Sequence, residues 1–166
     1  FRSHVFGDLK NSGNLDFVTP WYKKATDMMD LNSSIQSALV STNSIVQGDQ
    51  AGILWEYLFG RGIEINFAYR TFRWTNAAKG KAAVHCVIVG FAKEGTWRKP
   101  RTIFDGLVAR RASQINQYLI DAPKVIIKAR SRPICDVPEI GMGNQPIDDG
   151  NYLFTFDEMN DFLSKE

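Results

Sequence analysis

The chain has 166 residues, of which 44% are hydrophobic and 12% are aromatic. This composition can form a core, and it excludes an intrinsically disordered chain. The longest apolar run, residues 82–91, is too short to span a bilayer, so we expect no membrane partner. Cys86 and Cys135 lie far apart in the sequence, with no cluster of histidines around them. This spacing argues against a zinc site or a disulfide framework and favours a reducing compartment.

The net charge of +2 hides a strong asymmetry between the two ends of the chain. Residues 1–135 carry 19 Lys and Arg against 10 Asp and Glu, whereas residues 136–166 carry one Lys against eight acids. Much of the positive charge lies in three stretches, which are residues 70–81, 98–111 and 124–132. Phe72, Trp74 and Trp97 are interleaved with these bases, a pattern that is typical of nucleic-acid binding.

The N-terminal part of the chain predicts a loop, a helix and a strand, in that order. Residues 1–14 are polar and contain glycine, which favours a loop. Pro20 suits the first turn of a helix that Asp16 or Thr19 can cap. The apolar residues at helical spacing form the expected inward face, and they are Phe17, Trp21, Ala25, Met28 and Met29. Residues 37–41 form a short apolar run that predicts a buried strand.

The middle of the chain predicts a helix, a strand, a loop and a second strand. Residues 49–59 predict a helix whose inward side chains are Ile53, Leu54, Tyr57 and Leu58. Residues 63–69 alternate and predict a strand with one wetter face, and residues 70–81 predict a loop. Residues 82–91 are almost wholly apolar and predict a central strand buried on both faces, with His85 packed in the core.

The pattern weakens after residue 92, and we place a domain boundary there, between residues 1–92 and residues 93–166. Residues 103–108 and 124–128 predict short strands, and the segment rich in Pro, Gly and Asp that follows predicts a loop. Near the C-terminus, Thr155-Phe156-Asp157-Glu158 matches a capping box, which predicts a final short helix.

The order of these elements predicts part of an α/β sheet. A helix joins strand 37–41 to strand 63–69, so these two strands should be parallel. Strand 82–91 follows a loop that cannot hold a helix, so it should be antiparallel to both. Because it is almost wholly apolar, it should also lie between them. The free edge of strand 37–41 should then pair with a missing first half of the sheet or cause self-association.

No catalytic constellation is visible in the sequence. Residues 141–143, Gly-Met-Gly, have no strand before them and so do not match a phosphate-binding loop. We therefore expect no catalytic residue and no metal site in this segment.

Three segments resemble the adenine-N6 DNA methyltransferases. Residues 14–25, NLDFVTPWYKKA, resemble the segment that follows the catalytic motif of that family. Residues 38–45, ALVSTNSI, resemble the next strand and its loop, and residues 67–91, ending VHCVIVGF, resemble the terminal hairpin. Within the family, the MmeI-like (type IIL) branch of restriction–modification enzymes is most similar. Sequence motifs that are distinctive of this branch occur here as VSTNSIVQG at 40–48 and RTFRW at 70–74. The segment RSRPIC at 130–135 resembles the start of its target-recognition region.

The resemblance implies a fold, a reaction and a location. The fold is the second half of a class I, Rossmann-like sheet with an antiparallel last strand, followed by an irregular C-terminal segment. The reaction is methyl transfer from S-adenosylmethionine to adenine N6 of double-stranded DNA in the cytoplasm of a bacterium or archaeon. Residues 1–92 would end the methyltransferase domain, and residues 93–166 would be a linker and the start of the target-recognition domain.

In that family the glycine-rich S-adenosylmethionine loop and the Asn-Pro-Pro-aromatic catalytic motif lie upstream of these segments. Neither motif occurs in the 166 residues, which begin Phe-Arg-Ser without a methionine. We therefore expect a segment of a longer protein that is inactive by itself and binds no S-adenosylmethionine without its missing half.

The same resemblance suggests which residues contact DNA. A methyltransferase turns its target base out of the duplex, and the extruded base needs an aromatic ring to stack on. Family members supply this ring from the loop before the last strand, where Trp74 and Phe72 are the candidates, unless one of them packs in the core. The bases expected to hold backbone phosphates are Arg70, Arg73, Lys79, Lys81, Arg130 and Arg132. Asn43 and Ser44 follow a strand where α/β sheets place ligands, or they simply form a turn.

The alternative is a non-catalytic DNA-binding module that serves as a specificity or accessory subunit. The sequence immediately upstream distinguishes the two interpretations, because only the enzyme needs an Asn-Pro-Pro-aromatic motif there.

Overall fold

The computed structural model describes residues 2–7, 9–74, 84–128, 130, 134–137 and 153–165. The chain divides into two units, Phe1–Ala129 and Arg130–Glu166. Among the described residues, no helix combines the length and the apolar character that a membrane span requires.

The first fourteen residues are not the loop that their composition predicts. They contain helix α1, Arg2–Phe6, and a 3₁₀ helix, Ser12–Asn14. Phe6 is buried in the core, where its ring meets that of Tyr57 edge-on at 5.8 Å. A five-residue helix held by such a contact is too short to show a helical period in the sequence.

Helix α2, Thr19–Leu31, begins near the predicted position but presents a different face to the core. Its buried residues are Thr19, Pro20, Tyr22, Thr26 and Met29, whereas Phe17, Trp21 and Met28 are 67%, 63% and 56% exposed. Burial of the polar residues costs little because the Thr26 hydroxyl donates to the Tyr22 carbonyl at 2.9 Å and the Tyr22 hydroxyl pairs with Ser41 Oγ at 2.9 Å. The predicted inward face is therefore confirmed for Met29 and for the partly buried Ala25, and it is wrong for Phe17, Trp21 and Met28.

Helix α3, Gly48–Gly60, confirms the prediction for residues 49–59. Leu54 and Leu58 are fully buried, and Ile53 and Tyr57 are partly buried against the same core. Trp55 is also fully buried, and its indole Nε1 donates to the carbonyl of Ile45 at 2.9 Å.

Five strands of the described residues form one sheet, and their order confirms the predicted topology. They are β1 (Gln36–Thr42), β2 (Ile63–Arg73), β3 (His85–Lys93), β4 (Arg101–Asp105) and β5 (Val108–Ala112). The strand order is β1-β3-β2-β4-β5, with β3 antiparallel to both β1 and β2 and with β4 parallel to β2. Strand β2 continues to Arg73, so part of the predicted loop is strand.

The two strands predicted after residue 92 differ from the observed ones. Residues 103–108 belong to a hairpin of β4 and β5, which turns at Gly106 with φ of +59°. Residues 124–128 are not in a strand. They run against α3 instead, because a Cβ on Gly52 would stand 2.9 Å from the carbonyl oxygen of Ile127.

Helices α2 and α3 pack on one face of the sheet and enclose the core. Val87, Val89 and Phe91 of β3 belong to this core, and the ring of Phe91 stacks on Tyr22 at 5.2 Å. The prediction that the apolar strand is central and buried is therefore confirmed. His85 is an exception, since it is the first residue of β3 and is exposed at the end of the sheet.

The other face of the sheet carries a row of aromatic side chains from β2. Phe67 lies opposite Gly90, Tyr69 opposite Ile88 and Phe72 opposite Cys86. A Cβ on Gly90 would stand 2.0 Å from Phe67 Cε1, so the absent side chain makes room for this ring.

In the second unit, helix α4, Phe156–Leu163, confirms the predicted capping box. The Thr155 backbone N–H donates to Glu158 Oε2 at 2.8 Å, and the Glu158 N–H donates to Thr155 Oγ1 at 3.4 Å.

Candidate nucleic-acid interface

The register of the sheet brings the ends of three strands to one edge. Thr42, the last residue of β1, and Phe72, near the end of β2, both pair with Cys86 of β3. Neighbouring strands are about 4.8 Å apart, so the segments that follow β1 and β2 leave the sheet about 10 Å from each other. Strand β4 is parallel to β2 and ends on the same side. We call this side, where β1, β2 and β4 end, the carboxyl edge.

Asn43 and Ser44 begin a 3₁₀ helix, Asn43–Val46, directly at the carboxyl edge. Ser44 Oγ donates a short hydrogen bond to Asp16 Oδ2 and lies 2.8 Å from Thr42 Oγ1. The Asp16 backbone N–H in turn donates to Gln50 Oε1 at 2.9 Å. Asp16 therefore ties the segment before α2 to the turn after β1, while Asn43 is half-buried.

Asp16 is the residue of this site that sequence reasoning considered only as a helix cap. It lies within the segment NLDFVTPWYKKA, so the resemblance could have drawn attention to it. Its contact with Ser44 spans 28 positions of sequence, however, and only the fold reveals such a contact.

The Tyr22–Ser41 hydrogen bond supports the same region from within the core. Burial raises the pKa of the Tyr22 hydroxyl well above its ordinary value, and the hydrogen bond with Ser41 opposes this only in part. The phenol is therefore neutral at every physiological pH, and its role here is structural.

Phe72 and Trp74, the two candidate stacking rings, both lie at the carboxyl edge. The Trp74 N–H donates to the Val84 carbonyl at 2.8 Å, which continues the pairing of β2 and β3 by one step. Because side chains alternate along a strand, Phe72 and Trp74 point to the same side of the sheet. Trp74 is 43% exposed and Phe72 is partly buried. A fully buried core position is thus excluded for Trp74.

The bases predicted to hold phosphates have different surroundings. Arg70 pairs with Asp105 at 2.9 Å on the protein surface. Arg73 and Arg130 are exposed, and neither forms an ion pair within the described residues. Lys79, Lys81 and Arg132 lie outside the described residues.

The opposite end of the sheet is held by an ion-pair network. Asp30 pairs with Lys93 and Arg61, and the Lys93 Nζ also donates to the Arg61 carbonyl at 2.6 Å. The hydrogen bond from Lys93, followed by that from Arg61, lowers the pKa of Asp30 below its ordinary value. Asp27 joins the network through Arg61 and Lys23, at 2.8 and 2.7 Å.

The described part of the chain contains no cluster of three His, Cys, Asp or Glu that could hold a metal ion. Both cysteines are free.

Comparison with known proteins identifies two domain types along the chain. A family model described as "MmeI, DNA-methyltransferase domain" matches residues 2–105. A second, described as "MmeI, target recognition domain", matches residues 121–166.

One curated relative is DNA methyltransferase A of Bacillus subtilis (strain 168), which is 41% identical over 162 residues. The match covers 97% of this chain and 18% of the relative. A solved structure of the type IIL restriction–modification enzyme MmeI in complex with DNA is 45% identical, with a TM-score of 0.85. That match covers 99% of this chain and 23% of the solved chain. This chain thus spans about a fifth of the length of either protein.

These matches confirm the predicted resemblance and the predicted fold class. The mixed sheet of β1 to β5 corresponds to the second half of a Rossmann-like methyltransferase. With a methyltransferase-domain model over most of the chain and a target-recognition model over its C-terminal part, the chain belongs to the MmeI family.

Proposed function

We propose that this chain is part of a longer restriction–modification protein that methylates adenine N6 of double-stranded DNA with S-adenosylmethionine. In this proposal, residues 1–92 end the methyltransferase domain, and residues 93–166 form a linker and the start of the target-recognition domain. Membership of the MmeI family supports the reaction class. The observation that carries the proposal is the carboxyl edge, because Asn43, Ser44 and Trp74 follow strands that end on this same side of the sheet.

Trp74 has the properties that an extruded base requires. The base loses its stacking energy when it leaves the duplex, and stacking on an aromatic side chain returns about 1–3 kcal/mol of binding free energy. Trp74 is 43% exposed at the carboxyl edge, so a π-face is available to a ligand. Phe72 lies on the same side of the sheet and is the remaining candidate.

Asn43 and Ser44 form the second part of the proposed site. The Ser44 hydroxyl is held by Asp16 and Thr42, so the turn after β1 has a fixed conformation. We propose that Asn43 faces the extruded base and that Asp16 acts as a positioning residue through Ser44.

Arg73 and Arg130 are proposed to contact backbone phosphates, because both are exposed and their charge is not neutralised within the described residues. Arg70, Lys79, Lys81 and Arg132 belong to the same proposal. Arg70 must exchange its partner Asp105 for a phosphate, which is a small cost for an exposed pair.

The cofactor is proposed to be held mainly by residues outside this chain. The described residues contain no glycine-rich turn between a strand and a helix that could cradle S-adenosylmethionine. When bound, the cofactor supplies the methyl group, and this chain's own residues stack and orient the base. The free cysteines agree with a cytoplasmic location.

The test is methyl transfer from labelled S-adenosylmethionine to duplex DNA by the full-length protein. We expect label in the DNA. Tight DNA binding without any methyl transfer would instead favour the non-catalytic specificity module.

A further inference from the structure

The hairpin of β4 and β5 forms one side of the sheet and is joined to β2 by side-chain contacts. The rings of Tyr69 in β2 and Phe104 in β4 stack at 4.3 Å with an interplanar angle of 7°. Arg101 pairs with Glu64 at 2.7 Å, and Arg70 pairs with Asp105 at 2.9 Å. These contacts join the hairpin to β2, and they also neutralise Asp105, the one acid in residues 98–112.

The two arginines of β5 differ from Arg70 and Arg101, the arginines of the neighbouring strands β2 and β4. Arg110 and Arg111 are both exposed, and neither pairs with a carboxylate within the described residues. Arg101 and Arg70, by contrast, are engaged in ion pairs inside the chain. Two adjacent positive charges repel each other, and with no carboxylate paired to them they attract an anionic partner.

The register shows how these two charges are arranged. Arg110 lies opposite Ile103 and Arg111 opposite Thr102, so their side chains point to opposite faces of the sheet. Arg111 therefore shares a face with Phe104, Tyr69 and the stacking candidate Phe72. The two arginines therefore present positive charge on both faces of β5.

We propose that the hairpin of β4 and β5 is a second DNA-contacting element, in which Arg110 and Arg111 bind backbone phosphates of the duplex. The inference rests on the proposed function and adds a surface to it. Charge complementarity favours DNA as the partner, because both arginines lack an acidic partner within the described residues. The two arginines lie opposite Ile103 and Thr102, on the part of the hairpin away from its turn at the carboxyl edge. A competing explanation is that arginines on an edge strand only prevent sheet-to-sheet association.

The experiment measures DNA binding by the full-length protein between about 50 and 200 mM salt, for wild type, Arg110→Ala, Arg111→Ala and the double variant. Lys24→Ala is the matched control, since Lys24 is an exposed base of helix α2 without an ion pair in the described part of the chain. Each lost phosphate contact should reduce the slope of log affinity against log salt by about 0.9. We expect a reduction of about 1 to 2 for the double variant and none for Lys24→Ala.

Two results would overturn the inference. One is a double variant whose slope of log affinity against log salt equals that of wild type. If this variant also self-associates more than wild type, the result favours the edge-protection explanation. The other is a double variant whose slope changes no more than that of Lys24→Ala. If wild-type protein binds DNA in the same assay, either result removes the hairpin contact alone and leaves the proposed function standing.

Discussion

Replacing Trp74 with alanine tests whether this side chain stacks on the extruded adenine. Trp74 follows the last residue of β2, with its backbone N–H bonded to Val84 and its side chain 43% exposed. Alanine keeps the backbone hydrogen bond and removes the aromatic face. Trp74→Ala should therefore lower methylation while leaving the sheet intact.

The expected loss follows from the strength of stacking. Base–aromatic stacking is worth about 1–3 kcal/mol, which corresponds to a rate reduction of about five- to hundredfold if it is fully present in the transition state. A fully buried tryptophan would instead cost about 3–5 kcal/mol of folding stability when truncated. Since almost half of the Trp74 side chain is in contact with solvent, its truncation should cost well under that amount.

The assay combines methylation rate and thermal melting on the same full-length variant. Trp74→Phe keeps a ring and should retain most activity, and Phe72→Ala tests the other candidate. The salt dependence of DNA binding should be unchanged in Trp74→Ala, because no phosphate contact is removed. A large fall in melting temperature with unchanged activity per folded molecule would refute the stacking role and leave Phe72 as the candidate.

Three further predictions concern the chain itself. Gly90→Ala should lower the free energy of unfolding by about 1–3 kcal/mol in chemical denaturation, because the new Cβ would overlap the ring of Phe67, and an unchanged stability would contradict this packing. The pKa of Asp30 is lowered in the folded state, so its carboxylate stabilises the folded state at pH values above 3.8, the ordinary pKa of aspartate. This contribution is lost as the pH falls through the lower pKa of the folded state. The stability difference between wild type and Asp30→Asn should therefore shrink below about pH 4, and a difference that is constant from neutral pH downwards would count against the ion pairs of Asp30 with Lys93 and Arg61. The isolated 166-residue chain should dimerise through the free edge of β1 or be only marginally stable, whereas a stable monomer at high concentration in analytical ultracentrifugation would contradict this.

The order of the central strands could be predicted because it follows from the apolar character of one whole strand and from the type of connection between the other two. Strand β3 is apolar between His85 and Lys93 and requires neighbours on both sides, and the helix between β1 and β2 requires that these two strands run parallel. Their order followed from these two facts, and the structure confirms it.

The errors have local physical causes. The inward face predicted for α2 is wrong at Phe17, Trp21 and Met28. Tyr22 and Thr26 are buried instead because their hydroxyl groups form hydrogen bonds inside the core, which a ranking by hydrophobicity does not represent. The hairpin of β4 and β5 was read as one strand because β5 is exposed along its length and shows no alternation. Residues 124–128 have no strand partner within the described residues, and Val125 and Ile127 are 60% and 65% exposed. Apolar character alone does not reveal a missing strand partner.

The candidate site could be predicted by residue type, but its geometry could not. Asn43, Ser44 and Trp74 were each proposed from their own segments. The structure shows that the register of β1, β2 and β3 brings them to one edge, and it adds Asp16 through its hydrogen bond with Ser44. Whether these residues contact DNA stays a prediction.

The most direct test of the account is the identity of the methylated nucleoside. Duplex DNA incubated with the full-length protein and S-adenosylmethionine is digested to nucleosides and analysed by mass spectrometry. We predict N6-methyladenine with wild-type protein and a strongly reduced amount with Trp74→Ala. Unmodified adenine with wild-type protein, or methylation found on cytosine instead, would contradict the account.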